Sequence, residues 1–266
     1  MKTAILTGAT GTLGRKIAQH LAGVGVDLVL VGRRKHELLS LARELKAFGD
    51  IRIAPLEIDL REAGAPKAIM EHAVQFGGFD ILINNAGILG PVGDSWEVDD
   101  RDFEETVKVN FLVPAALCRA AIPLLISRGA GWIINLSGGG ATSPRERFAA
   151  YGSAKTALVR FGETLALECA RHSIRVNSVA PGAFRSRMTE QVLGAGNAGG
   201  HEERIAEDLL TNDSGAADKA SELVSYLVAG DGVDITGKII SAVWDNWQDL
   251  HRQDARPEAY TLRRVT

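Results

Sequence analysis

Cysteine is nearly absent: Cys118 and Cys169 are the only two in 266 residues. They lack paired spacing and no histidine cluster flanks them, so neither a disulfide framework nor a structural zinc site is indicated, and a reducing cytoplasm fits best. No uninterrupted apolar run approaches the ~20 residues that a membrane helix requires. The amino-terminal MKTAILTGAT runs into glycines where a secretory signal needs a longer apolar stretch. Excess basic charge is also missing. With 30 Lys and Arg against 33 Asp and Glu, the formal charge is -3, which offers no field for nucleic acid or an anionic membrane. An anionic ligand must therefore be held by local groups. Glycine, by contrast, is plentiful, and an apolar fraction of 45% with 24% charged residues falls in the ordinary globular range. A chain of this length suits one large α/β domain rather than two small ones.

Short apolar runs alternate with segments of helical periodicity. The runs are Ala4–Leu6, Leu28–Val31, Ile51–Ala54, Ile81–Ile83, Ile133–Leu136, Ile174–Val179 and Ile239–Ile240. Between them, segments such as Lys35–Phe48 and Phe148–Arg171 place apolar residues at three- and four-residue steps, as amphipathic helices do. This alternation predicts βαβ units, hence a seven-stranded parallel sheet with helices on both faces. One domain over 1–244 is expected. Residues 183–215, which contain LGAGNAGG, are too rich in small residues to bury much surface and read as a long loop or lid. The tail 245–266 has mixed charge and scattered apolar residues, so it reads as an arm toward another subunit or as frayed.

The first predicted strand runs into TGATGTLG, residues 7–14. A strand, then glycines, then a helix presents backbone N–H groups and the positive end of the helix dipole to a pyrophosphate. Gly8 would allow the turn, Gly11 the close approach of phosphates, and Gly14 the packing of helix on strand, with Thr10 and Leu13 between them. About 20 residues further on, an acidic residue would accept from the 2′-hydroxyl of NAD. This chain has Arg33 and Arg34 there, which would pair with a 2′-phosphate, so the reading favours NADP over NAD. Downstream, Tyr151 and Lys155 are four residues apart and share one helix face. An ammonium beside a phenol favours the phenolate and tunes the group for acid–base work.

Taken in order, these motifs resemble those of the classical short-chain dehydrogenases/reductases. The set comprises the glycine turn, Asp59-Leu60, Asn84-Asn85-Ala86-Gly87, Asn110, a serine before the tyrosine helix, Tyr151 with Lys155, and PGAFRSRM with Pro181, Gly182, Ser186 and Met188. The resemblance implies a single Rossmann-like doubly wound domain. It also implies hydride transfer between a nicotinamide cofactor and a small-molecule carbonyl or alcohol. On that reading Tyr151 is the proton donor or acceptor, Lys155 lowers its pKa and holds the nicotinamide ribose, and Asn110 keeps a water in a proton relay. Asp59 and Leu60 contact adenine, Asn85, Ala86 and Gly87 line the cofactor, and Pro181, Gly182 and Ser186 border it. A homodimer or homotetramer is implied too.

Two departures stand out. The middle glycine is one place early, giving Thr-Gly-x-x-Gly-x-x-Gly, a spacing typical of extended relatives that carry a further substrate domain. The position thirteen before Tyr151, where the family's serine belongs, is Gly138, and the nearest hydroxyl is Ser137. A one-residue adjustment in the Gly138–Gly140 run would bring Ser137 into place, with Thr142 or Ser143 as substitutes. These departures keep two other readings open: a cofactor-binding sensor or inactive scaffold, and a sugar-nucleotide-modifying enzyme. Trp244 and Trp247 read as core or interface packing.

Overall fold

The computed structural model describes residues 1–212, 214–229, 234–250 and 259–263. Among these, β1 (Thr3–Thr7), β2 (Asp27–Gly32), β3 (Ile53–Glu57), β4 (Ile81–Asn84), β5 (Gly131–Leu136), β6 (Ile174–Ala180) and β7 (Ile239–Ser241) form one parallel sheet in the order β3-β2-β1-β4-β5-β6-β7. The central strands are apolar on both faces because helices cover both. Alternate residues of β1 show the period of two. Ala4 and Leu6 pack under α1 (Thr12–Gly23), α2 (Lys35–Leu45) and α9 (Ala216–Ala229), with Ile17, Leu21, Leu41 and Leu223. Ile5 points to α3 (Ala65–Phe76), α5 (Val113–Arg128) and α6 (Ala149–Cys169), with Ile69, Leu117 and Leu165. Each such buried Leu or Ile contributes about 1.5–3 kcal/mol.

Helix α4 (Asp100–Val107) starts at Asp99, whose carboxylate accepts from the N–H groups of Arg101 and Asp102. It continues through a π-turn, Lys108–Leu112, into α5. The stretch Asp100–Arg128 is long and apolar enough to cross a membrane by length and composition. In this fold its Val113, Leu117, Ala121 and Leu125 are buried against the sheet.

From β1 the chain winds outward through β2 and β3, then returns to β4 on the other side of β1. The carboxyl ends of β1 and β4 therefore border a crevice at the topological switch point, where ligands of doubly wound sheets bind.

Residues 183–215 do not form a long loop. They fold into α7 (Arg187–Ala195) and α8 (Gly200–Thr211), so LGAGNAGG is the end of one helix and the turn to the next. Ser186 caps α7, and Gly196 ends it in a left-handed conformation. The tail reading applies to residues 245–266, of which 251–258 and 264–266 lie outside the described residues. The described parts return to the domain. Trp247 and Leu250 join the core beside Tyr226, while Trp244 is exposed. Tyr260 accepts from the N–H of Ile239 at 2.7 Å along β7, and the N–H of Leu262 donates to Glu163 of α6 at 2.6 Å. At the opposite edge, β3 contains Pro55.

Candidate active site

Thr7, the last residue of β1, joins the two strands of the crevice. Its hydroxyl accepts from the N–H groups of Asn85 (3.0 Å) and Ala86 (3.1 Å) and donates to Ile83 O at 3.3 Å. Asn85 returns the tie, donating Nδ2 to the carbonyls of Thr7 (2.9 Å) and Gly8 (3.1 Å). The expected cofactor residue Asn85 is thus engaged in bracing the glycine turn.

In that turn Gly8 has φ +64°, and a Cβ on it would lie 2.9 Å from Ala86 Cα. A Cβ on Gly14 would lie 2.2 Å from the Gly8 carbonyl, so both positions exclude any side chain. Gly11 differs: its nearest neighbour is 3.4 Å from a Cβ position. It is the N-cap of α1 and no side chain caps the helix, which leaves first-turn N–H groups directed at the crevice. Leu13 is buried beneath the turn, and Arg34 Nη2 reaches Thr10 Oγ1 at 3.5 Å. Arg34 also pairs with Glu37 at 2.7 Å, whereas Arg33 is exposed. Asp59 is gripped by Arg61, which also bonds Glu105 at 2.9 Å, and that grip holds its carboxyl down at about 2. Leu60 packs at the margin of the α3–α5–α6 core.

The carboxyl ends of β4, β5 and β6 supply the other wall. Asn110 sits in the π-turn and is fully buried. Its Oδ1 accepts from Ile88 N (3.1 Å), and its Nδ2 donates to Ile88 O (2.8 Å). π-turns inside helices occur frequently at functional sites. Gly87 lies beneath this pair: a Cβ on it would be 2.8 Å from Asn110 Oδ1, 3.6 Å from Lys155 Nζ and 3.7 Å from Met188 Cε. The structure thereby gathers Gly87, Asn110, Lys155 and Met188 from four separate elements. Gly182 follows Pro181 at φ +81° and packs on Val243. Ser186, expected beside the cofactor, is engaged in a reciprocal cap with Thr189.

Lys155 and Tyr151 share one face of α6, with Nζ 5.8 Å from the ring centroid. Nζ donates to Leu136 O at 2.7 Å, and burial pulls its pKa down to about 8. The expected lowering of the phenol by Lys155 is not the net direction here. Tyr151 is only 6% exposed, and burial pushes its pKa up, with the Arg145 guanidinium opposing. Desolvation penalises the phenolate more than the surrounding charge favours it.

Residue 138 faces the tyrosine hydroxyl: a Cβ on Gly138 would be 2.2 Å from Tyr151 Oη. Ser137 keeps the strand register, its N–H bonded to Val179 O at 2.8 Å, and its buried hydroxyl has no partner. Thr142 and Ser143 are exposed. An apolar cluster of Leu89, Phe148, Val192, Ala198 and Ala206 surrounds Tyr151. Sequence reasoning missed the bracing role of Thr7 and also missed Arg145. The partner of Arg145 is Glu202, 57 residues away, so no local pattern announces it.

Comparison with known proteins matches the chain and its fold. The short chain dehydrogenase family model matches residues 2–195. A short chain dehydrogenase of Pseudocercospora fijiensis is 37% identical over 191 residues, which are 70% of this chain but 61% of that protein, less than two thirds of its length. Dehydrogenase/reductase SDR family member 4 of Caenorhabditis elegans is 29% identical over 240 residues, 90% of this chain and 92% of the relative. Among solved structures, L-sorbose reductase from Gluconobacter frateurii, complexed with NADPH and L-sorbose, superposes with a TM-score of 0.78 at 26% identity, covering 90% of this chain and 94% of that one.

Proposed function

The chain belongs to the short-chain dehydrogenase family, and from that premise we propose that it is an NADP-preferring oxidoreductase acting on a carbonyl or secondary alcohol. The observation that carries the reading is the convergence of Tyr151, Lys155, Asn110 and Gly87 at the carboxyl ends of the strands, beside a glycine turn with an uncapped helix. The turn fits a dinucleotide. Gly8 and Gly14 leave no side chain over the crevice, and the first N–H groups of α1 suit a pyrophosphate. Gly8, Thr10, Gly11, Leu13 and Gly14 would hold the phosphates, Arg33 and Arg34 a 2′-phosphate, and Asn85, Ala86, Gly87, Pro181 and Gly182 the nicotinamide end. Bound there, the cofactor supplies the hydride.

The chain's own residues supply the proton and the geometry. In reduction Tyr151 donates its hydroxyl proton to the carbonyl oxygen, and in oxidation it takes that proton from the alcohol. Lys155, charged below pH about 8, stabilises the phenolate left behind. The Asn110 side chain is held by Ile88 through one donor and one acceptor, and its second amide N–H and the backbone of its π-turn are the groups that would serve a proton relay. The apolar cluster around Tyr151 excludes water from the transfer. Cys118 and Cys169 are free and buried, which supports a cytoplasmic location, and the family premise supports a homodimer or homotetramer.

One observation favours a second reading. Gly138 stands where the resemblance calls for a serine, which is what a cofactor-binding sensor or inactive scaffold could tolerate. NADPH consumption over a panel of ketones, aldehydes and polyol-derived ketoses separates the two. The oxidoreductase turns over at least one, and Tyr151→Phe lowers that rate by roughly 100-fold or more. Nucleotide binding with no turnover, or undiminished turnover in Tyr151→Phe, overturns the reading. Replacing Arg33 and Arg34 by Ala narrows the NADPH-over-NADH affinity ratio if those guanidinium groups hold a 2′-phosphate.

A further inference from the structure

The segment joining β5 to α6 carries two arginines that reach across to the α7–α8 unit. Arg145 is bidentate on Glu202 in the first turn of α8, with Nε to Oε1 at 2.9 Å and Nη2 to Oε2 at 2.6 Å. Both side chains are about four-fifths covered, at 21% and 20% exposure. The same guanidinium lies 3.8 Å above the ring centroid of Phe148. Arg147 Nη1 donates to Asn197 O, in the turn between α7 and α8, at 2.5 Å. Phe148 is fully buried in the cluster that encloses Tyr151, to which α7 and α8 contribute Val192 and Ala206.

The glycine run gives Arg145 its path. Its Cδ lies 3.8 Å from a Cβ position on Gly139, and its Cβ lies 3.4 Å from one on Gly140. The α7–α8 unit is bracketed by glycines in the left-handed region, Gly182 (φ +81°) before it and Gly215 (φ +64°) after it, with Gly196 and Gly199 between the helices. At Gly196, Gly199 and Gly215 a Cβ would meet no atom within 4 Å. These are positions where backbone angles can change without a clash. With Tyr151 only 6% exposed, movement of the unit would open more of it to a substrate.

We propose that the Arg145–Glu202 pair is the latch that holds the α7–α8 unit closed over Tyr151, with Arg145 as a positioning residue that links closure to the tyrosine through Phe148. The inference rests on the reading of Tyr151 as the reacting acid–base group. A bidentate pair that is about four-fifths covered biases the closed state more than a surface pair does. Both groups regain water when the unit opens, so the bias stays reversible. Glu202 also sits in the first turn of α8, where the helix dipole favours a carboxylate in either state.

Amide hydrogen exchange on the full chain, without nucleotide or substrate, tests the latch. Arg145→Gln and Glu202→Gln each speed exchange in peptides covering residues 187–195 of α7, which the charge at the start of α8 does not stabilise, by roughly fivefold or more, while β1 and β4 exchange as in the native chain. The β1 and β4 peptides report that the variants are folded. The charge-swapped double variant Arg145→Glu with Glu202→Arg brings exchange back toward the native rate. Native exchange in both single variants, or a swap that exchanges as fast as the singles, overturns the proposal. No turnover enters this readout, so a failed latch leaves the hydride-transfer reading standing, and a failed turnover test leaves the exchange result intact.

Discussion

Placing one methyl group at position 138 probes the centre of the site. A Cβ there would lie 2.2 Å from Tyr151 Oη, 3.1 Å from Cζ and 3.2 Å from Cε1. Ordinary carbon contacts sit near ~3.5–4.0 Å, so the hydroxyl overlaps the methyl by more than ~1 Å. The ring cannot swing aside, because the cluster of Phe148, Val192, Ala198 and Ala206 encloses it. Overpacking of this kind costs about 1–3 kcal/mol. Gly138 is not in the left-handed region, so alanine also gains about 0.4–1 kcal/mol through the unfolded chain. The net loss expected for Gly138→Ala is about 1–2 kcal/mol, or a fall in Tm of roughly 2–8 °C. Gly139→Ala is the control: its nearest neighbour is 3.8 Å away, so its stability stays within about 0.5 kcal/mol. Adding Tyr151→Phe removes the worst contact and leaves only those at 3.1 and 3.2 Å. Urea unfolding of the four members of the cycle therefore yields an interaction energy of about 1 kcal/mol. A strictly additive cycle, or Gly138→Ala as stable as Gly139→Ala, would refute the placement of the hydroxyl against Gly138. The proposed chemistry would have to be rebuilt in that case.

Two further perturbations follow from the turn and from Lys155. Gly14→Ala drives a methyl to 2.2 Å from the Gly8 carbonyl and 2.9 Å from Ala9 Cα, both backbone, and destabilises by about 3 kcal/mol in a thermal melt. Gly11→Ala meets nothing closer than the Gly8 carbonyl at 3.4 Å, an ordinary van der Waals contact, and melts as the native chain does, yet loses NADPH affinity by fluorescence titration; unchanged affinity would show that the phosphates do not approach this glycine. Burial pulls Lys155 down to about 8 from 10.5, so between those pH values the unfolded chain holds a proton that the folded chain has released. Stability from this group therefore rises with pH across that window, by up to about 3 kcal/mol, and below pH 8 the full burial penalty applies. Lys155→Met removes that rise. Urea unfolding at pH 7 and 9.5 checks it, and identical slopes in the two proteins would contradict it.

The strands were readable because the parallel sheet is covered on both faces, so each strand is a short apolar run between polar helix ends. Ile51 was assigned to the third strand, yet that strand begins at Ile53, since its start follows pairing with β2 rather than the onset of apolar residues. The stretch LGAGNAGG obscured α7 and α8, although Ser186 before α7 and Gly196 after it are ordinary start and stop signals. Counting residues back from Tyr151 puts Gly138 at the serine position and leads to the expectation that Ser137 shifts into it, whereas in the structure residue 138 itself faces the hydroxyl. That Ser137 does not slide into its place depends on a ladder bond to Val179, a contact with β6 that counting along the chain does not reveal. Arg145 escaped notice for the same reason, because its significance lies in Glu202 on a distant helix.

The two outer strands of the sheet carry one more consequence. Along β3, the bonds from Leu28 N to Arg52 O and from Ile58 N to Gly32 O direct the even-numbered residues toward β2. The odd-numbered Pro55 therefore faces outward, and the donor it lacks is one that a foreign strand would have sought. At the far side Tyr260 already accepts from Ile239 along β7. Among the described residues, neither margin offers a continuous row of free donors and acceptors, so extension of the sheet from one molecule into the next is hindered at both ends.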